Sequence, residues 1–208
     1  MAASAETMDR ADRSRRAILD AAALVFAERG YTAASLNQII EASGLTKGGF
    51  YFHFPSKLAL ARAVIADQNE RWFAAAMDEA NRHELAIDRL FALPKALARL
   101  TAQGQGPASL RSMVEELARE PDLRDEVCGS IRVGVEAVAG QFREAQAEGT
   151  IRADLDPDVM AEIAVGGFAG MQALTDQLGD RDFERRVASL IAFVRAATTV
   201  RREEGEER

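Results

Sequence analysis

Lys47, Tyr51 and His53 fall within seven residues, inside "TKGGFYFHFP" at 46–55. Each can donate a hydrogen bond to an anionic oxygen, and Thr46 adds a hydroxyl. Gly48 and Gly49 strip side chains from the start of the same segment. Phe50, Tyr51, Phe52 and Phe54 crowd it with aromatics, although the whole chain is only 6% aromatic. Such a set suits close contact with a polyanion more than bond-breaking chemistry. The rest of the chain offers little for catalysis. It holds two histidines and one cysteine, so a zinc site of His and Cys is excluded, and His83 and Cys128 have no partner at ligand spacing. No paired carboxylates or nucleophile motif stand out. The expectation is a protein that is not an enzyme, with no metal and no cofactor.

The elements that must position these residues all read as helix. Ala and Leu are abundant, and no run alternates with period two. From Arg13 to Arg29 the apolar residues Ile18, Ala21, Ala22, Val25 and Phe26 recur at steps of three and four, ending at a capping Gly30. A short helix follows from Ser35 to about Ser43, with Leu36, Ile39 and Ile40 as its apolar face, and Gly44 stops it. Thr46 caps a third helix to about His53, which Pro55 ends. Two short helices about a tight turn have the dimensions of a helix-turn-helix, whose second helix enters a DNA major groove. In that setting Gly48 and Gly49 let the backbone approach closely, at about 1 kcal/mol each in helix propensity. Phe50 and Phe54, four apart, are expected to pack on Phe26, Leu36 and Ile40; Phe52 can serve either face, with the core the favoured one. Tyr51 shares the exposed face with Lys47, and His53 reads either as a DNA contact or as a structural histidine. Ser35 reads as the N-cap of the second helix.

A long helix begins at "SK" (56–57) and runs to about Arg82. Further helices are expected at about 84–103, 107–119, 122–148, 156–178 and 181–202. The division is into a head, 1–55, with 1–12 as a flexible arm, and a helical body, 56–208, with a frayed tail at 203–208. The net charge is −7. Residues 1–60 carry seven Lys and Arg against six Asp and Glu, a net +1, and the remainder carries nineteen against twenty-seven, a net −8. The basic run "RADRSRR" reads as a solvated face or as an arm reaching DNA. No apolar run approaches the roughly 18 residues of a membrane span, and the N-terminus has no signal-like segment. The expected location is cytoplasmic.

Residues 18 to 65 resemble the N-terminal domain of the TetR family of transcriptional regulators. The resemblance rests on "AAxxxFAERGY" closing the first helix, on "IxExSGLTKGxFYFHFPSK" across the turn, and on the long helix just after it. The form of the second motif looks most like the branch that contains γ-butyrolactone receptors. The resemblance implies an all-α fold: a three-helix DNA-binding domain followed by a helical ligand-binding and dimerisation domain. It implies a homodimer on a palindromic double-stranded DNA operator, released when a small molecule enters the body. Carried onto this sequence, the DNA-binding positions are Thr32, Ser35, Thr46, Lys47, Gly48, Tyr51, His53 and Lys57. Many family members have Ala or Ser where Gly49 stands, which leaves Lys47 and Tyr51 as the base-reading candidates.

In the body, "AEIAVGGFAGMQALTDQL" (161–178) is rich in small residues that let another helix approach. The final helix carries an apolar stripe. The resemblance implies a four-helix dimer interface here, through Ala164, Gly167, Gly170, Leu174, Val187, Leu190, Ile191 and Val194; ordinary intrachain packing is the other reading. The candidate ligand pocket is Trp72, Phe73, Met77, Phe91, Met113, Leu117, Phe142, Phe168, Met171 and Gln172, an apolar set with few polar groups. No charge cluster suggests an anionic ligand, so a largely apolar compound is expected. The butyrolactone branch usually holds its tryptophan in a later helix, whereas the single tryptophan here, Trp72, is on the fourth; this argues against a butyrolactone. A DNA-binding factor without a ligand, and an all-helical enzyme, are the alternatives.

Overall fold

The computed structural model describes residues 2–117, 121–179 and 182–200, and the tail at 203–208 lies outside them. Helix α1 spans Ala2–Ala33 but is broken at Gly30, which sits at φ 73° where the sequence placed its cap; then come α2 Leu36–Ser43, α3 Lys47–His53, α4 Lys57–Ala80 and α5 Ala86–Ala102. A 3-10 turn at Gly106–Leu110 leads into α6, Arg111–Leu117. Then come α7, Pro121–Ala147, α8, Pro157–Leu178, and α9, Phe183–Thr198. The expected all-helical chain is what is observed. Its one pairing of extended residues among those described is an isolated antiparallel bridge, Ile151 to Thr199, which ties the loop before α8 to the end of α9.

Two compact units divide the described residues. Met1–Arg71 with Gln105–Val127 forms one, and Trp72–Gly104 with Cys128–Arg208 the other. The boundary therefore differs from the one drawn after residue 55. The first unit takes in the start of α4 and all of α6, because Leu60, Ala61 and Val64 of α4 and Met113 and Leu117 of α6 are buried with Ile18, Phe26 and Ile39 in one core. The segment 1–12, expected as an arm, is helical from Ala2. Just beyond it, Arg15 and Arg16 are exposed yet engaged within the chain: the Arg15 guanidinium lies 5.4 Å from the Phe54 ring centroid. Arg16 pairs with Asp67 at 2.8 Å, and Arg71 bridges Asp20 at 2.8 Å and Asp67 at 3.1 Å. This network joins α1 to α4, and its interlocking geometry gives it more weight than an isolated exposed pair of about 0–1 kcal/mol.

The second unit buries Leu90, Phe91, Leu97, Phe142, Val187 and Val194 in a separate core. Asp156 starts α8 by accepting from the backbone N–H groups of Asp158 and Val159, with Pro157 at the first helical position, and Gly179 ends it in the left-handed region at φ 63°. Gly167 faces α9: a Cβ there would stand 3.2 Å from both Leu190 methyl carbons. Val187, Ile191 and Val194 are buried within the chain, so the stripe assigned to dimerisation is instead its own core. On α8 and α9 the large apolar side chains left outside are Val159, Ile163, Leu174, Leu178 and Phe193.

Candidate nucleic-acid interface

Local sequence caps α2 at both ends and starts α3. Ser35 and Gln38 make a reciprocal cap: the Ser35 hydroxyl oxygen accepts from the Gln38 N–H at 3.3 Å, and the Gln38 side-chain oxygen accepts from the Ser35 N–H at 3.0 Å. Gly44 closes α2 at φ 70°, a conformation other residues rarely adopt, and its N–H donates to the Glu41 carbonyl. Thr46 caps α3, its Oγ1 accepting from the Gly49 N–H at 3.2 Å. In both caps the hydroxyl oxygen is an acceptor, so the hydroxyl proton remains available to donate to a phosphate. Capping and phosphate contact are thus compatible at Ser35 and Thr46.

Phe50 is fully buried and Phe54 nearly so, their ring centroids 6.1 Å apart, as the four-residue spacing requires. Phe50 also meets the Tyr51 ring edge-on at 5.3 Å. This leaves Tyr51 46% exposed, with Lys47 exposed beside it on the helix. His53 is half-buried, its ring against Phe52 at 5.0 Å and near Phe54 at 6.4 Å. Phe52 corrects the sequence reading: it is 78% exposed, not core. At about 100° per residue, a residue two places from Phe50 must point nearly the opposite way. Gly48 is exposed, and a Cβ there would meet nothing within 4 Å.

Thr32 and Lys57 lie at a joint that was not visible in the sequence. The Tyr31 and Thr32 N–H groups donate to the two carboxylate oxygens of Glu116, at 3.2 and 2.6 Å. Lys57 donates from Nζ to the Thr32 carbonyl at 3.3 Å and lies 4.5 Å from the Tyr31 ring centroid. Burial lowers the Lys57 pKa, and the Glu116 charge partly opposes it. Lys57 is therefore drawn inward over Tyr31, whereas the sequence placed it among surface phosphate contacts. Glu116 comes from α6, 84 residues beyond Thr32, and no local spacing announced it.

The pocket set separates in the same way. Met113 and Leu117 belong to the first unit's core, because α6 packs on α1. Phe91 and Phe142 are buried core of the second unit. Trp72, Phe73, Met77 and Met171 are half-buried against that core, and the Trp72 ring lies 6.2 Å from Phe168. Gln172 is also half-buried. The Trp72 indole Nε1 is buried with no hydrogen-bond partner among the described residues. Among the described residues no group of three His, Cys, Asp or Glu is placed to hold a metal ion, and no helix is long and apolar enough to cross a membrane.

Comparison with known proteins meets this geometry at both ends of the chain. Residues 18–64 match the model of bacterial regulatory proteins of the tetR family, and residues 86–191 match the tetracyclin repressor-like C-terminal domain. The chain is 29% identical over 193 residues to the A-factor receptor protein of Streptomyces griseus, covering 87% of this chain but 62% of that protein's length. It is 30% identical over 154 residues to the transcriptional regulator AcuR of Cereibacter sphaeroides, covering 69% of this chain and 67% of AcuR. The crystal structure of full-length native TylP, a TetR regulator from Streptomyces fradiae, superposes with a TM-score of 0.72 at 30% identity, covering 92% of this chain and 89% of that one. A capped helix-turn-helix and a helical second unit, each matched by its own family model, place the chain in the TetR family of bacterial regulatory proteins, as a DNA-binding transcriptional regulator and not an enzyme.

Proposed function

We propose that the chain is a homodimeric repressor that holds a palindromic operator and is released when a small, largely apolar molecule binds its second unit. The observation that carries the DNA-binding part is α3 itself. Its inner side is locked by Phe50, and it presents Lys47, Tyr51 and Thr46 outward, with a backbone bare of side chains at Gly48. A lysine there can bond guanine O6 or N7, and the hydroxyls can serve phosphates. Ser35 and Thr46 add phosphate donors at two helix starts, and His53 lies at the end of α3.

The dimer surface is reassigned from the buried α9 stripe to the outer face of α8. Val159, Ile163, Gly166, Gly170, Leu174 and Leu178 recur at steps of three and four, and all are exposed. With Phe193 at 71% exposure they make an apolar face with small residues at its centre, suited to a symmetric bundle. A ligand-taking second unit is supported by the buried, unpartnered Trp72 Nε1, which asks for an acceptor such as a carbonyl oxygen, and by half-buried apolar neighbours. One relative is by name the A-factor receptor protein. The chain works in the cytoplasm.

The test uses duplexes selected by the protein from a randomised pool. Lys47→Ala with Tyr51→Ala should weaken binding about a hundredfold or more, at about 1–3 kcal/mol per lost base contact, without changing the sedimentation coefficient. Ile163→Glu with Leu174→Glu should instead yield a monomer. Unchanged affinity in the first variant would remove α3 as the reading helix, and a dimer in the second would remove the α8 face.

A further inference from the structure

The outermost line of α3 carries no hydrogen-bonding side chain. Counting about 100° per residue from buried Phe50, Gly48 and Phe52 both fall within about 20° of the opposite direction, one turn apart. Lys47 and Tyr51 lie on one flank of that line, and Gly49 and His53 on the other. Exposure follows the same order: Phe52 is 78% exposed, Tyr51 46%, and Phe50 is buried. A lone exposed phenylalanine is ordinary on a protein surface. This one stands at the crest of the helix proposed to enter DNA, one turn from a glycine whose missing side chain faces open space. Gly49 is not required by internal packing either, since a Cβ there would meet only Thr46 Oγ1, at an ordinary 3.4 Å. The chain's own fold thus uses neither glycine for close packing, and together they leave the ring unobstructed.

We propose that Phe52 is a specificity residue: its ring packs on a thymine C5-methyl group in the major groove, in the room that Gly48 leaves. A phenyl ring can neither donate to a phosphate nor bond a base edge. The thymine methyl is the apolar feature that the major groove offers, and it distinguishes thymine from cytosine and from both purines. Lys47 and Tyr51, on the flank, then supply the polar contacts. The inference rests on DNA binding by α3 and adds which base the helix crest selects.

The test replaces each thymine of a selected duplex by deoxyuridine, which removes the methyl and keeps every hydrogen bond. One thymine per half-site should prove sensitive. Removing its methyl should weaken wild-type binding about fourfold, and about fifteenfold when both half-sites are changed. Phe52→Ala should weaken binding to the thymine duplex and lose the difference between thymine and deoxyuridine. Phe52→Leu should keep that difference, and it serves as the second variant if Phe52→Ala loses helicity by circular dichroism. If no thymine is sensitive, or if Phe52→Ala keeps full sensitivity, the assignment is overturned while DNA binding stands. If the pool yields no preferred sequence and no duplex binds, both fall together.

Discussion

Two adjacent glycine pairs, Gly48–Gly49 in α3 and Gly166–Gly167 in α8, look alike in the sequence and do different work in the structure. In α3 a Cβ at Gly48 would meet nothing, and one at Gly49 would make only ordinary contact with the Thr46 hydroxyl. In α8 a Cβ at Gly167 would crowd both Leu190 methyl carbons at 3.2 Å, while one at Gly166 would meet nothing. Gly167 is thus a residue of internal close packing, where α8 meets α9. The α3 pair is open to the outside, and its cost in helix propensity has no return within the folded chain. A glycine with no internal neighbour, on the helix proposed to read DNA, points to a partner. A glycine against leucine methyl groups points to the chain's own core.

The inward and outward sides of α3 can be separated most sharply by comparing two phenylalanines. Phe50→Ala should destabilise the first unit by about 3–5 kcal/mol, because the ring is fully buried in the head core. Phe52→Ala should change stability by no more than about 0.5 kcal/mol, because the ring is exposed. Denaturant titration of both variants reads the difference. Equal losses would erase the division of α3 into two faces.

Gly167→Val tests the other member of the comparison. The added methyls must displace Leu190, and overpacking of this kind costs about 1–3 kcal/mol. The expected signature is a lower denaturation midpoint at every protein concentration. A loss that appears only on dilution would mean that Gly167 faces a second copy, as the sequence first suggested, and would return this glycine to the dimer surface.

Much of the fold was legible because helix periodicity and caps are local. Gly30, Ser35, Gly44, Thr46 and Pro55 mark the ends of the head helices, and the spacing of Phe50 and Phe54 shows which side of α3 is buried. Phe52 was misplaced inward on the strength of its hydrophobicity, although the same 100° arithmetic that buried Phe50 sends it outward. The arginines at 15 and 16 were read as an arm or a solvated face. Their partners Phe54 and Asp67 lie 39 and 51 residues away, beyond any local pattern. Met113, Leu117 and Glu116 were illegible for the same reason, because only the fold brings α6 onto α1. The stripe Val187, Ile191 and Val194 shows a limit of periodicity: it identifies a buried face without saying whether the chain or a copy of it does the burying.

The smallest expected effect on stability is also the one in which stability and function should part. Gly48→Ala places a methyl where nothing in the chain stands within 4 Å, so there is no steric cost. Alanine should stabilise α3 by up to about 1 kcal/mol through helix propensity and reduced freedom of the unfolded chain. If Gly48 serves only the fold, the variant should be slightly more stable and bind the selected duplex unchanged. If its empty space admits the DNA, the same methyl should stabilise the head and weaken binding, since it sits on the crest of the helix one turn from Phe52. Measuring the denaturation midpoint and duplex affinity on one preparation decides between these outcomes. A rise in the first with a fall in the second shows that the glycine is kept for a contact outside the chain, and that the helix is less stable than it could be for the sake of that contact.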